Sequence, residues 1–169
     1  QITIVPRGQA GGMTISLPEE DRSYLSKRYM EDQIVALLGG RVAEKLCLGD
    51  ISTGASNDIQ RASQIARKMV ATYGMSDEIG TVSFESGHDE VFIGRTMTQG
   101  RSYSEAVAAQ IDREVQRVVG NAYDRCEEIL REQREALDTV ARYLLEHETM
   151  ERSEFLAVFG ETEEKELPL

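Results

Sequence analysis

Apolar residues recur at intervals of three and four through most of the chain and alternate with polar ones only in short stretches. Met30, Ile34, Leu37, Leu38 and Val42 predict a helix over about residues 23 to 46. Ile59, Ala62, Ile65, Ala66, Met69, Val70 and Tyr73 predict the buried side of a second helix. Ser56 is its expected N-cap, Asp58 lies in its first turn and Gly74 is a natural C′ residue. A third, long helix carries the seam Val107, Ile111, Val115, Val118, Ala122, Cys126 and Ile129, opened by the capping box Ser102-x-x-Glu105. The stripe weakens over residues 133 to 136 and resumes at Leu137, Val140, Leu144 and Leu145, as a continuation or as a helix turned back. Thr149 is the expected cap of a last short helix ending at Gly160.

Residues 2 to 5 alternate as a strand does and stop at Pro6; Met13, Ile15 and Leu17 share one face of a second strand, stopped by Pro18. Together they predict a small N-terminal β-hairpin or sheet with an exposed edge. Residues 81 to 84 and 91 to 93 predict a second short hairpin across a polar loop. The fold class is therefore mainly α (α+β). Gly39 and Gly40 interrupt the first helix, each costing ~1 kcal/mol against Ala. Such a pair points to the close approach of another backbone, or to a local kink.

The chain has 169 residues, enough for one domain with a core, and residues 161–169 form an acidic stretch expected to be disordered. It starts at Gln1, already inside an alternating run, which suggests a piece of a longer protein. The formal charge of -11 argues against a nucleic-acid partner. No apolar run approaches the ~20 residues that span a bilayer. Cys47 and Cys126 both sit in apolar helical patterns, as two buried reduced thiols would.

Candidate chemistry is sparse. His-Glu-x-x-His, Gly-x-Ser-x-Gly, Gly-x-Gly-x-x-Gly and a Walker A loop are all absent, and the histidines, His88 and His147, lie in polar surroundings. Asp58 has two readings. A carboxylate in a first turn is stabilised by the helix dipole and the free N–H groups there. It is also well placed for a metal, and catalytic zinc takes three protein ligands with a fourth position left open. Gly11, Gly12, Met13 and Thr14 read either as turn residues before a strand or as an open edge that an extended peptide can join.

Five separated stretches stand in one order: Ile4-Val5-Pro6-Arg7-Gly8, Leu17-Pro18-Glu19-Glu20-Asp21, Leu37-Leu38-Gly39-Gly40-Arg41-Val42-Ala43-Glu44, Thr53-Gly54-Ala55-Ser56-Asn57-Asp58-Ile59 and Tyr73-Gly74-Met75-Ser76. With them the chain resembles the peptidase domain of the FtsH family, membrane-anchored AAA+ zinc metalloproteases, over residues 1 to about 160. The resemblance implies a partial zinc-metallopeptidase domain over 1–160 and protein quality control as its task. It implies that two histidine ligands and the general-base glutamate come from a His-Glu-x-x-His helix upstream, so no catalytic residue lies here. Asp58 is then the third zinc ligand, and substrate lies along Gly11, Gly12, Met13, Thr14 and Ile15. The helix with Gly39 and Gly40 is expected to pack near the zinc-site helix.

The implied cofactor is zinc, with ATP bound by a domain outside this sequence. The implied partners are unfolded membrane and soluble proteins, and five further copies in a hexamer. The implied location is the bacterial inner membrane, reached through segments outside this sequence, with this domain on the cytoplasmic side. The chain alone is expected to be inactive and to bind zinc weakly. The alternative is a non-catalytic helical oligomerisation module forming a ring interface, with Asp58 a simple helix-start carboxylate.

Overall fold

The structure, a computed structural model, describes residues 1–6, 12–15, 24–84 and 103–160. These divide into two compact units, one drawn from Tyr24–Ile129 and the other from Gln1–Ser23 with Leu130–Leu169. As expected, the chain is mainly helical with a small antiparallel sheet.

In the first unit, helix α1 spans Lys27–Leu48. It starts after Ser26, whose Oγ accepts from the Tyr29 N–H at 3.2 Å, and stops at Gly49 in the left-handed region. Met30, Ile34, Leu38 and Val42, one per turn, form its buried stripe. Helix α2, Ser56–Arg67, packs against it. Here Ser56 is the first helical residue rather than the cap. Its N–H is tied to the Thr53 carbonyl at 3.1 Å, and the buried Ala55 takes the cap position without a side-chain bond.

Helix α2 runs into a π-helical turn, Lys68–Thr72, in which the Tyr73 N–H reaches back to the Lys68 carbonyl. Met69, Val70 and Ala71 are consecutive and all buried. The wider turn changes the helical phase. Tyr73, expected on the buried side, is half exposed. Gly74 follows at φ 60, and a Cβ there would lie 3.0 Å from the Thr81 Cα, so both conformation and space demand glycine. Residues 81 to 84 form no strand. The Val82 N–H goes to the Gly80 carbonyl and the Phe84 N–H to the Ala71 carbonyl, bonds to a turn and a helix end instead of a ladder. The expected partner, residues 91 to 93, lies outside the described residues, as do Ser102 of the expected capping box and the tail 161–169.

Helix α3, Glu105–Glu132, is capped instead by Ser104, whose Oγ accepts from the Val107 N–H. Its Ile111 joins Val70 and Ala71 in a core cluster, covered by Ile79, Phe84, Tyr103, Val107, Val115 and Val118. Beside the cluster Glu114 is buried. Its carboxylate accepts from the Ser76 hydroxyl at 2.6 Å and from Arg117 through Nε and a terminal nitrogen, each at 2.9 Å. Arg117 holds the Glu114 carboxyl down to about 2, against the opposing effect of burial and with help from Ser76.

The second unit is built on β1, Ile2–Thr3, with β2, Met13–Thr14, on one side and β3, Thr149–Met150, on the other, both antiparallel. Helix α4, Arg134–His147, is a separate element after a break at Gln133, which resolves the weakened stripe. It ends at Glu148, whose φ of 61 turns the chain directly into β3. Thr149, expected as a helix cap, is thus a strand residue. The cap of α5, Arg152–Val158, is Glu151, in a reciprocal box with Glu154.

Glu114 predicts an acid-sensitive step. Its folded pKa of about 2 lies below the unfolded 4.5, so its contribution is full above about pH 4.5 and is lost as pH falls toward 2. The shift corresponds to roughly 3 kcal/mol at most. Denaturant unfolding of the wild type and Glu114→Gln across pH 7 to 2 should show the variant weaker by about 1–3 kcal/mol near neutrality, the gap closing with acid. A gap constant down to pH 2 would contradict this.

Candidate functional site

The loop between α1 and α2 is held by its polar groups. Two residues on one side of α1, Arg41 and Glu44, grip a single loop residue, Ser52. The Arg41 guanidinium donates to the Ser52 carbonyl at 2.9 Å. One Glu44 oxygen accepts from the Ser52 N–H at 3.1 Å and the other from its hydroxyl. The Ser52 Oγ in turn accepts from the Gly54 N–H at 3.1 Å. The Ser52 hydroxyl, then its N–H, hold the Glu44 carboxyl below its usual value, burial opposing and Arg41 adding. A Cβ on Gly54 would sit 3.2 Å from the Ser52 Oγ, so the turn has little room to spare.

This fixed turn delivers Asp58 in the first turn of α2, where the sequence places it. Its side chain is 47% exposed and, among the described residues, pairs with Arg61 at 3.9 Å. It fits zinc as one oxygen donor and no more, since no group of three His, Cys, Asp or Glu converges among the described residues. His147 stacks on Tyr143 in the other unit, and His88 lies outside the described residues.

Gly12, Met13, Thr14 and Ile15 run along the sheet edge, all exposed; Gly11 lies outside the described residues. The Ile15 N–H donates to the Gln1 carbonyl at 2.9 Å and the Gln1 nitrogen to the Ile15 carbonyl at 3.2 Å, a hydrogen-bonded pair. The next pair, Ile2 and Thr14, is therefore a non-hydrogen-bonded one. The Thr14 N–H and C=O point away from β1, and no described strand covers that side. A Cβ on Gly12 would meet the Thr3 carbonyl oxygen at 2.8 Å, so Gly12 is required for strand contact.

A Cβ at Gly39 or Gly40 meets nothing within 4 Å among the described residues, so no described backbone approaches them, and α1 is continuous through both. One expectation is corrected. Cys47 is exposed while Cys126 is buried, because Cys47 falls outside the one-per-turn stripe of α1. Next to the glycines, the Arg41 Nε is buried without an acceptor among the described residues. The grip on Ser52 was not foreseen. Its only sequence signal is the spacing of Arg41 and Glu44 one turn apart, ahead of a Ser-Thr-Gly loop.

The chain matches the family model for Peptidase family M41 over residues 1–158. It is 55% identical over 160 residues to "ATP-dependent zinc metalloprotease FtsH 1" of Thermoanaerobacter sp. (strain X514), covering 95% of this chain and 26% of that protein. It is 50% identical over 167 residues to "ATP-dependent zinc metalloprotease FtsH" of Caldicellulosiruptor bescii, covering 99% and 27%. To the protein of that name from Bacillus subtilis (strain 168) it is 47% identical over 152 residues, covering 89% and 24%. The chain thus spans about a quarter of the length of these relatives.

The Ser52 grip is open to direct measurement. Glu44→Ala removes both acceptors, and amide exchange at Ser52 and Gly54 should speed up by on the order of tenfold while α1 and α3 amides stay protected. Unchanged exchange at both amides would show that Glu44 does not hold the loop.

Proposed function

The chain belongs to peptidase family M41, and from that premise we propose that it is part of the proteolytic domain of a longer ATP-dependent zinc endopeptidase. Its contribution is one zinc ligand, Asp58, and one peptide-binding edge, Gly11 to Ile15. The single observation that carries this reading is Asp58 itself. It is a half-exposed carboxylate on a helix whose entry is fixed by Arg41 and Glu44. A ligand must be presented at a reproducible place and still be reachable, and this geometry meets both needs.

Zinc, when bound, supplies Lewis-acid polarisation of the scissile carbonyl. Asp58 donates a negatively charged oxygen from a first turn, and the Ser52 grip limits how far that oxygen wanders. The edge strand orients the peptide. The outward Thr14 N–H and C=O take up the backbone of an extended chain, which binds sequence broadly because main-chain groups carry the affinity. Such tolerance suits unfolded membrane and soluble proteins as substrates. The general base and the remaining ligands come from a His-Glu-x-x-His helix elsewhere in the longer protein. The bare surface at Gly39 and Gly40 and the unanswered Arg41 Nε support packing of a further segment against α1.

The longer protein is proposed to be a hexamer in the bacterial inner membrane, with this portion on the cytoplasmic side and ATP bound by another domain. No helix among the described residues is long and apolar enough to cross a membrane, so anchoring is assigned to other segments.

In the full-length protein, Asp58→Ala should lower peptide hydrolysis by more than about a hundredfold, since even outer-shell changes at metal sites cost 10–100-fold. Zinc per protomer should fall as well, with ATP hydrolysis persisting. Full proteolysis with normal zinc would reject the assignment in favour of a helical assembly module. The 169-residue chain alone, given zinc and casein, should show no turnover; chelator-sensitive cleavage would overturn that expectation.

A further inference from the structure

Thr3 is a polar side chain buried in the sheet unit, 6% exposed on the central strand. Its hydroxyl makes three hydrogen bonds. It donates to the Glu148 carbonyl at 3.2 Å and accepts from the Thr149 hydroxyl at 3.1 Å and the Val5 N–H at 3.2 Å. The Glu148 carbonyl also accepts from the Ile4 N–H at 3.0 Å. Glu148 is the non-glycine residue with positive φ among the described residues, a conformation that persists only where surrounding contacts determine it. Bonds from Thr3 and Ile4 supply that determination. The strand that follows α4 is thus locked to β1 by a buried hydroxyl hub, joining residues far apart in the sequence.

The other side of Thr3 faces the peptide edge. Thr3 pairs with Met13, and its carbonyl oxygen lies 2.8 Å from where a Cβ on Gly12 would be. The placement of β2 is therefore set by the placement of Thr3. A two-residue strand pair has little stability of its own. Its geometry has to be imposed from β1, and β1 is fixed in turn by β3.

We propose that Thr3 is a positioning residue for peptide binding, its buried hydroxyl using the chain after α4 to fix the edge strand on which substrate pairs. This rests on the reading of β2 as the peptide edge. Replacing the hydroxyl by a methyl keeps the shape of the strand and removes the hub. It leaves the Glu148 carbonyl with one donor fewer and the Val5 N–H without its partner. Serine keeps the oxygen and restores all three bonds. The zinc ligand belongs to the other unit, so the metal should not respond.

The test uses the full-length protein and an extended fluorogenic peptide, with KM, kcat and zinc per protomer measured for Thr3→Val, Thr3→Ser and Thr14→Pro. Thr14→Pro deletes the outward N–H at an edge position where proline is tolerated. Thr3→Val should raise KM by about fivefold with kcat and zinc unchanged, the pattern of lost uniform binding, and Thr3→Ser should match wild type. If Thr3→Val does not fold, Thr149→Val, which removes one of the three bonds, should raise KM in the same direction. A raised KM for Thr14→Pro with an unchanged KM for Thr3→Val overturns the positioning role and leaves the edge reading intact. An unchanged KM for Thr14→Pro overturns the edge reading and the inference with it. A joint fall of kcat and zinc in Thr3→Val, or no rescue by serine, marks a general structural role and also overturns it.

Discussion

A single carboxylate taken out of water organises the helical unit. Removing a charge from solvent costs several kcal/mol in ordinary proteins, offset only where its oxygens are fully partnered. Glu114 meets that condition with the Arg117 fork and the Ser76 hydroxyl. Ser76 closes the Tyr73-Gly74-Met75-Ser76 stretch, so the bond fixes the chain leaving the π-helical turn onto α3. From there Ile79 and Phe84 fall onto the cluster of Val70, Ala71 and Ile111. The apolar contacts are non-directional. The buried Glu114 carboxylate, partnered by a half-exposed Arg117, gives them one arrangement in preference to others.

Both candidate sites use a similar economy. In each, a short exposed segment is held by groups on a neighbouring regular element. Arg41 and Glu44 do this for the loop before Asp58, and Thr3, paired with Met13, does it for the edge strand β2. Both segments are exposed, so apolar burial contributes little to their shape. Hydrogen bonds to main-chain groups are the remaining means of fixing an accessible backbone.

The helices were legible because one-sided burial writes a period into the sequence. Met30, Ile34, Leu38 and Val42 announce α1, and Ile111, Ala122 and Cys126 announce α3. Asp58 in a first turn was legible for the same reason. What failed were choices between neighbouring polar residues. Ser56 and Thr149 look like caps, yet Ala55 and Glu151 hold those positions, since a turn bond and a strand pairing decided the boundary. Cys47 looked buried from local composition and is not. The bonds that join Arg41 and Glu44 with Ser52, and Thr149 with Thr3, have no period at all. They join residues whose partnership is created by the fold.

The π-helical turn at Lys68–Thr72 carries a consequence for how this segment can change over time. It contains the extra residue that sets Met69, Val70 and Ala71 side by side in the interior and aims Gly74 at the Thr81 backbone. Loss of one codon here would restore an ordinary helix and swing everything downstream by about 100°. Exchange of one apolar side chain for another leaves that geometry standing. Lineages carrying this stretch are therefore expected to vary in its letters and to keep its count.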